Sequence, residues 1–202
     1  METSSLRLAA VKAERPLEMV FIRHAESVRN RAKKGAVYFA DEYARRDVEG
    51  IPDHLIDITP EGKKLAEATG IALRKLYGVP GYLYHSGYKR TIETADGILA
   101  AYSDEERALI KVRSNLFIRE RAAGHTYDMT EAEAEHYFPY LKKYWETNGG
   151  FMAAPPGGES LAAMAERVYL FLNMLFRDRA GQEIFVVTHG GTLRLFRYLL
   201  EH

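Results

Sequence analysis

The chain contains no cysteine. Disulfides and cysteine-ligated metals are therefore excluded, and a reducing compartment is compatible with the composition without being required by it. Net charge is also missing: 28 Lys and Arg are matched by 28 Asp and Glu among 202 residues. Nucleic-acid binders rely on many phosphate contacts, so this balance argues against one and leaves room only for a local basic pocket. Long apolar runs are absent as well. No window approaches the roughly 20 apolar residues of a membrane span. In "METSSLRLAAVKAERP", Arg7 and Lys12 break the stretch that a signal peptide would keep apolar. A soluble cytoplasmic protein is the expectation. The terminal "LEH" fits either a native end or the start of an affinity tag.

What is present suffices for a core. Hydrophobic residues make up 47% of the chain, and the length suits one domain, since domains cluster at roughly 100–200 residues. Residues 1–16 read as a poorly ordered lead-in, and 17–202 as a single domain without internal repeats or a domain-sized linker. The apolar run Met19-Val20-Phe21-Ile22 reads as a buried strand. "GYLYHS" (81–86) and "IKVRSNLFIRE" (110–120) are further strand candidates, and "EIFVVTHGG" (183–191) is the clearest buried one. Thr59 as N-cap and Pro60 at the first helical position open a long helix that Gly78 stops. Its expected apolar face is Leu65, Ala68, Thr69, Ala72, Leu73 and Leu76. Helices are also expected from about Lys89 to Tyr102, from Glu159 or Ser160 to about Arg179, and from near Gly191. Strands alternating with helices predict an α/β three-layer sandwich, with a mainly parallel central sheet flanked by helices.

Two insert segments interrupt this pattern. Residues 31–58 lack periodicity and read as partly helical and mostly exposed. Lys33, Lys34, Arg45 and Arg46 there read as a solvated charge run rather than as a patch for a multiply anionic substrate. Residues 125–156 are rich in aromatics, with Tyr127, Tyr137, Phe138, Tyr140, Tyr144, Trp145 and Phe151, and are expected to hold a helix near Pro139. Such a cluster is more often a packed insert than a substrate box.

The chemistry-bearing residues lie where strands stop. The first strand ends in Arg23-His24 and the last in Thr188-His189-Gly190. A lone histidine is usually structural. Two at the carboxyl ends of the two best strand candidates point to a shared site, because ligands of open parallel sheets bind at that edge and adjacent strands would bring them together.

At these residues the chain resembles the histidine phosphatase superfamily, which includes cofactor-dependent phosphoglycerate mutase. The resemblance runs from about residue 18 to the end and rests on "RHAESVRN", "DITPEG", "SGYKRTIETA", "FIRERAAG", "GGES" and "VVTHGG". It implies a phosphoglycerate mutase-like fold with His24 as nucleophile and Arg23, Asn30, Arg90, His189 and Gly190 around the phosphate. It makes Glu120 the acid, and it implies neither cofactor nor metal. The family signature usually has glycine after the histidine. Ala25 stands there, so the turn must form without glycine's freedom or shift the phosphate slightly.

The chemistry agrees with that resemblance. Neutral imidazole can attack a dianionic phosphate monoester without charge repulsion. Guanidinium groups stay charged and offer paired donors, which suits Arg23 and Arg90. His189 is expected to donate to phosphate. Glu120, beside phosphate and partly desolvated, is expected to hold a proton for the leaving oxygen. Its bland alternative is a surface ion pair with Arg119 or Arg121. Glu26 and Glu159 are weaker acid candidates, and Glu26 also suits a helix cap.

A metal hydrolase built on His24, Glu26, Glu120 and His189 lacks an HExxH motif and sets arginines against a cation. A serine esterase lacks GxSxG. Within the resembled family, mutases follow their acid with a His-Tyr-Gly segment, whereas this chain has "ERAAG". The expected activity is therefore metal-independent hydrolysis of a small-molecule phosphomonoester or a phosphopeptide. A mutase-type phosphoryl transferase and a non-catalytic phospholigand-binding scaffold are the alternatives.

Overall fold

The computed structural model describes residues 14–201. The expected lead-in falls almost wholly outside them, as does the last residue of the terminal Leu-Glu-His. From the first described residues the chain is tied down. Leu17 N–H donates to the Gln182 carbonyl, and Gly181 N–H to that of Arg15.

Four strands, β1 (Glu18–Arg23), β2 (Tyr82–His85), β3 (Lys111–Ser114) and β4 (Glu183–Thr188), form one sheet in the order β1-β4-β2-β3. Every pairing is parallel. The third candidate strand is shorter than its apolar pattern predicts, because Asn115 caps a single 3-10 turn over Leu116–Ile118. Central β4 is buried on both faces, which explains its uninterrupted apolar run. Ile184 and Val186 pack with Phe171, Leu172, Leu175 and Phe196. Those residues lie on α8 (Leu161–Asp178) and α9 (Gly190–Glu201). Phe185 and Val187 face the opposite layer with Leu73, Ala95 and Ile98, from α3 (Pro60–Tyr77) and α4 (Lys89–Leu99). Burying each such large side chain is worth roughly 1.5–3 kcal/mol. The three-layer sandwich is thus observed, with a short helix α5 (Asp104–Leu109) that the periodicity did not reveal.

Helix α3 starts and stops as expected. Thr59 Oγ1 accepts from Gly62 N–H at 3.0 Å, and Gly78 ends the helix at φ 72°. Its buried face differs from the expected one. Leu65 and Leu76 are 59% and 71% exposed, and the face that packs is Gly62, Ala66, Gly70 and Leu73. The reason is close helix–helix approach: a Cβ on Gly70 would lie 2.4 Å from the Ile98 carbonyl oxygen. Small residues, not large apolar ones, let α3 and α4 touch.

The two inserts fold against each other. The first carries α1 (Val28–Lys33) and α2 (Glu42–Arg45), and the second α6 (Glu131–Tyr137) and α7 (Leu141–Met152), broken around Pro139. Phe39, Val48 and Ile56 form a buried cluster in a segment expected to be mostly exposed. Phe39 exchanges backbone hydrogen bonds with Met129 and Glu131. Arg45, read as solvated, is buried and donates to Glu133 at 2.7 Å and to the Asp128 carbonyl at 2.9 Å. Among the described residues, no helix is long and apolar enough to cross a membrane.

Candidate active site

Parallel pairing of β1 with β4 puts Arg23 opposite Thr188, so the residues that follow, His24 and His189, emerge side by side. Their ring centroids are 5.1 Å apart. His24 N–H donates to the Thr188 carbonyl at 2.8 Å, locking one strand end to the other. The turn after His24 needs no left-handed backbone, since Lys34 is the one non-glycine residue with positive φ among the described residues. Ala25 is instead buried against Ile58 and Ala66. Its N–H donates to Thr94 Oγ1 at 2.9 Å. The alanine that departs from the usual glycine therefore packs without strain.

The protonation of both rings follows from their partners. His24 Nδ1 lies 2.7 Å from the Ala25 carbonyl, an acceptor, so Nδ1 carries the hydrogen and Nε2 holds the free lone pair. Burial, then the charges of Arg90 and Arg23, lower the His24 pKa to about 3, so the ring is neutral near neutral pH. Around His189 the hydrogen bonds form a chain. Thr91 Oγ1 donates to the Tyr88 carbonyl at 2.7 Å, so Ser86 Oγ, 3.0 Å away, donates to Thr91. Ser86 Oγ then accepts from His189 Nε2–H at 2.8 Å. That leaves His189 Nδ1 buried without a partner among the described residues. Burial and the Arg90 charge hold His189 well below the ordinary histidine range. In the ligand-free protein the ring is therefore an acceptor at its vacant nitrogen, and the expected donation to phosphate requires a proton there.

A cavity of about 590 Å³ gathers Arg23, His24, Asn30, Arg90, Glu120 and Gly190. A neighbouring one of about 710 Å³ shares Arg23, His24 and Asn30 and runs to Leu65 and Thr69. Arg90 is buried and gripped by Asp53: Nη1 donates to the Asp53 carbonyl at 2.6 Å and to its Oδ1 at 2.9 Å, and Nη2 to Oδ2 at 3.3 Å. Its Nε–H and one Nη2 hydrogen are left for a ligand. Arg29 donates to the same Asp53 at 3.4 Å and stacks over the Tyr127 ring at 3.5 Å. Lys33 also lines the cavity, above the Phe39 ring, and burial beside Arg29 lowers its pKa to about 8. It is part of the site rather than of a solvated run. Asn30 spends its side-chain carbonyl on the Ser27 cap of α1, which leaves its amide hydrogens for the cavity.

Glu120 faces this cavity, and Oε1 accepts the Arg121 N–H at 2.9 Å. Neither Arg119 nor Arg121 pairs with it: Arg119 donates to the Ser86 carbonyl, and Arg121 to the carbonyls of Glu159 and Ala153. The segment is pinned from below. Arg167 on α8 donates to the carbonyls of Phe117, Arg119 and Glu120 while Glu159 holds it at 2.7 and 2.8 Å. Glu159 is thereby a structural partner, and Glu26 is bound to Arg31 and Thr59 rather than capping a helix. Among the described residues no group of three or more His, Cys, Asp or Glu could hold a metal ion. The tight glycine is Gly191, not Gly190. A Cβ on Gly191 would lie 2.5 Å from Glu120 Oε1, whereas one on Gly190 meets Arg23 only at 3.6 Å.

Arg29, Asp53, Ser86 and Gly191 were thus missed. Arg29, Ser86 and Gly191 lie inside quoted motifs, so position offered a signal. Asp53 had none, standing 37 residues before Arg90.

The chain is similar in sequence and in fold to known proteins. Residues 19–202 match the family described as Histidine phosphatase superfamily (branch 1). Phosphoglycerate mutase-like protein 4 of Arabidopsis thaliana is 29% identical over 88% of this chain and 68% of its own length. The 2,3-bisphosphoglycerate-dependent phosphoglycerate mutase of Cytophaga hutchinsonii is 30% identical over 72% of this chain and 66% of its own. The chain spans as little as 56% of another plant relative. The crystal structure of the alpha-ribazole phosphatase from Shigella flexneri superposes with a TM-score of 0.67 at 21% identity, covering 90% of this chain and 78% of that one. The match over nearly the whole chain, on an all-parallel sheet with paired histidines at its edge, makes this protein a member of the histidine phosphatase superfamily, branch 1.

Proposed function

We propose that the protein is a phosphomonoester hydrolase that works through a phosphohistidine on His24, without a metal. The observation that carries this reading is the neutral His24 ring with its Nε2 lone pair free, in one cavity with Arg23, Arg90 and Glu120. Nε2 attacks phosphorus as the ester P–O bond breaks, and the Glu120 proton passes to the leaving oxygen. The ring gains positive charge on phosphorylation, which the Ala25 carbonyl at Nδ1–H offsets. Water then attacks phospho-His24, Glu120 takes its proton, and phosphate leaves with Nε2 restored. Arg23 and Arg90 stabilise the charge on the transferring oxygens. A small cytoplasmic monoester or a phosphopeptide fits the reading. Hydrolysis is favoured over mutase-type transfer because Ala122 and Ala123 follow Glu120-Arg121 where mutases carry the His-Tyr-Gly segment.

The test is release of inorganic phosphate from monoesters by protein dialysed against EDTA. Activity is expected to survive, and strict dependence on an added divalent cation would favour the metal-hydrolase alternative. In the same assay Arg90→Lys keeps charge but loses both the Asp53 grip and the paired donors. Its kcat/KM should fall by the equivalent of about 1.5–3 kcal/mol, the worth of a charge-assisted hydrogen bond. Unchanged kcat/KM would remove Arg90 from the phosphate site.

A further inference from the structure

A third cavity opens beside Arg121. It measures about 470 Å³ and is walled by Val37, Tyr38, Ala123, Trp145 and Pro155. That volume lies in the range of small-molecule sites. Val37, Arg121 and Ala123 line both this cavity and that of His24, so the two adjoin. Both inserts build it.

The geometry points to this annex as the seat of the substrate's leaving group, and to a phosphate monoester whose alcohol carries an apolar, aromatic portion. The inference rests on the phosphatase reading and adds the substrate class to it. Direction comes from in-line displacement. The leaving oxygen departs opposite His24 Nε2 and needs Glu120 within reach. Glu120 lines the cavity that adjoins the annex and is absent from the walls of the larger cavity toward Leu65.

Chemical class comes from the walls. Their few polar groups are mostly occupied. Thr126 Oγ1 donates to the Ala123 carbonyl at 2.8 Å, and Arg121 donates to the carbonyls of Glu159 and Ala153 at 2.7 and 3.0 Å. A sugar or polyol would lose its water there and find few partners. An aromatic ring loses nothing and meets Trp145, over which Arg121 already stacks at 5.2 Å. Arg121 is thus a wall shared by the two cavities rather than a phosphate ligand.

The experiment compares wild-type kcat/KM for ethyl, 3-phenylpropyl and glycerol 1-phosphate, all esters of primary alcohols. Burying a phenyl-sized group predicts a preference for the phenylpropyl over the ethyl ester of roughly 10–100-fold. Glycerol phosphate should gain nothing over ethyl. Trp145→Ala should shrink the phenylpropyl-to-ethyl ratio, and Trp145→Phe should restore part of it. Equal wild-type values for the three esters would overturn the annex, as would a Trp145→Ala protein that is folded and keeps the full ratio. If none of the esters releases phosphate, the hydrolase reading fails, and calorimetry with ethyl- and 3-phenylpropylphosphonate then decides the annex alone. Tighter binding of the phenylpropyl compound supports it, and equal binding overturns it.

Discussion

Glu120→Gln is expected to lose roughly 10²–10⁴-fold in rate on alkyl phosphates and far less on p-nitrophenyl phosphate, the range general acid catalysis supplies. An alkoxide must be protonated as its bond to phosphorus breaks, whereas nitrophenolate is stable as an anion. The substitution keeps the geometry. Gln can still accept the Arg121 N–H through its carbonyl oxygen, and the space that Gly191 leaves suits either side chain. What is lost is the transferable proton. Slow hydrolysis of phospho-His24 would hide the difference, so the phosphorylation step must be read from pre-steady-state bursts. Equal losses on both esters in that step would take the acid role from Glu120. The other carboxylates weighed for it are poorly placed to inherit it, since Glu159 is bound to Arg167 and Glu26 to Arg31.

Binding of a dianion should be linked to uptake of one proton at His189. The free ring gives its only hydrogen to Ser86 and leaves Nδ1 as a buried lone pair, which would repel an anionic oxygen. A bound dianion reverses the balance that keeps the ring neutral, because it offsets Arg90 and rewards an Nδ1–H donor. Sulfate is the clean probe, since it brings no proton of its own near neutrality. The complex then holds one more proton than its free components, so affinity falls as pH rises, by about tenfold per unit while the linkage lasts. Calorimetry in buffers of different ionisation enthalpy should show the same proton. His189→Gln should abolish the dependence and His24→Gln should retain it. Sulfate affinity independent of pH in the wild type would mean that the ring already donates from Nδ1.

The residues differ in how openly the sequence announced them. His24 and His189 were legible because each ends an apolar run, and parallel neighbours must deliver such ends to one edge. Ser160 capping α8 and Thr59 capping α3 were legible because capping is local chemistry. The face of α3 was misread because its packing depends on Gly62, Ala66 and Gly70, residues that hydrophobic periodicity ignores. Lys33 and Arg45 looked like solvated charge because their partners, Phe39 across the insert and Glu133 beyond it, are fixed only by the fold. Asp53 is the clearest case. Nothing near it in sequence says that it meets Arg90 and Arg29, and only the turn at Asp53–Leu55, folded over the strand ends, makes it a clamp on the phosphate arginine.

The central claim, that His24 carries the phosphoryl group, is tested most directly by rapid mixing of the protein with a radiolabelled monoester followed by an alkaline quench. Label should appear on the protein within the first turnover, resist base, be lost in acid and map to the peptide holding residue 24. His24→Ala should carry no label and release no phosphate. Label at any other residue, or wild-type turnover by folded His24→Ala, would contradict the account.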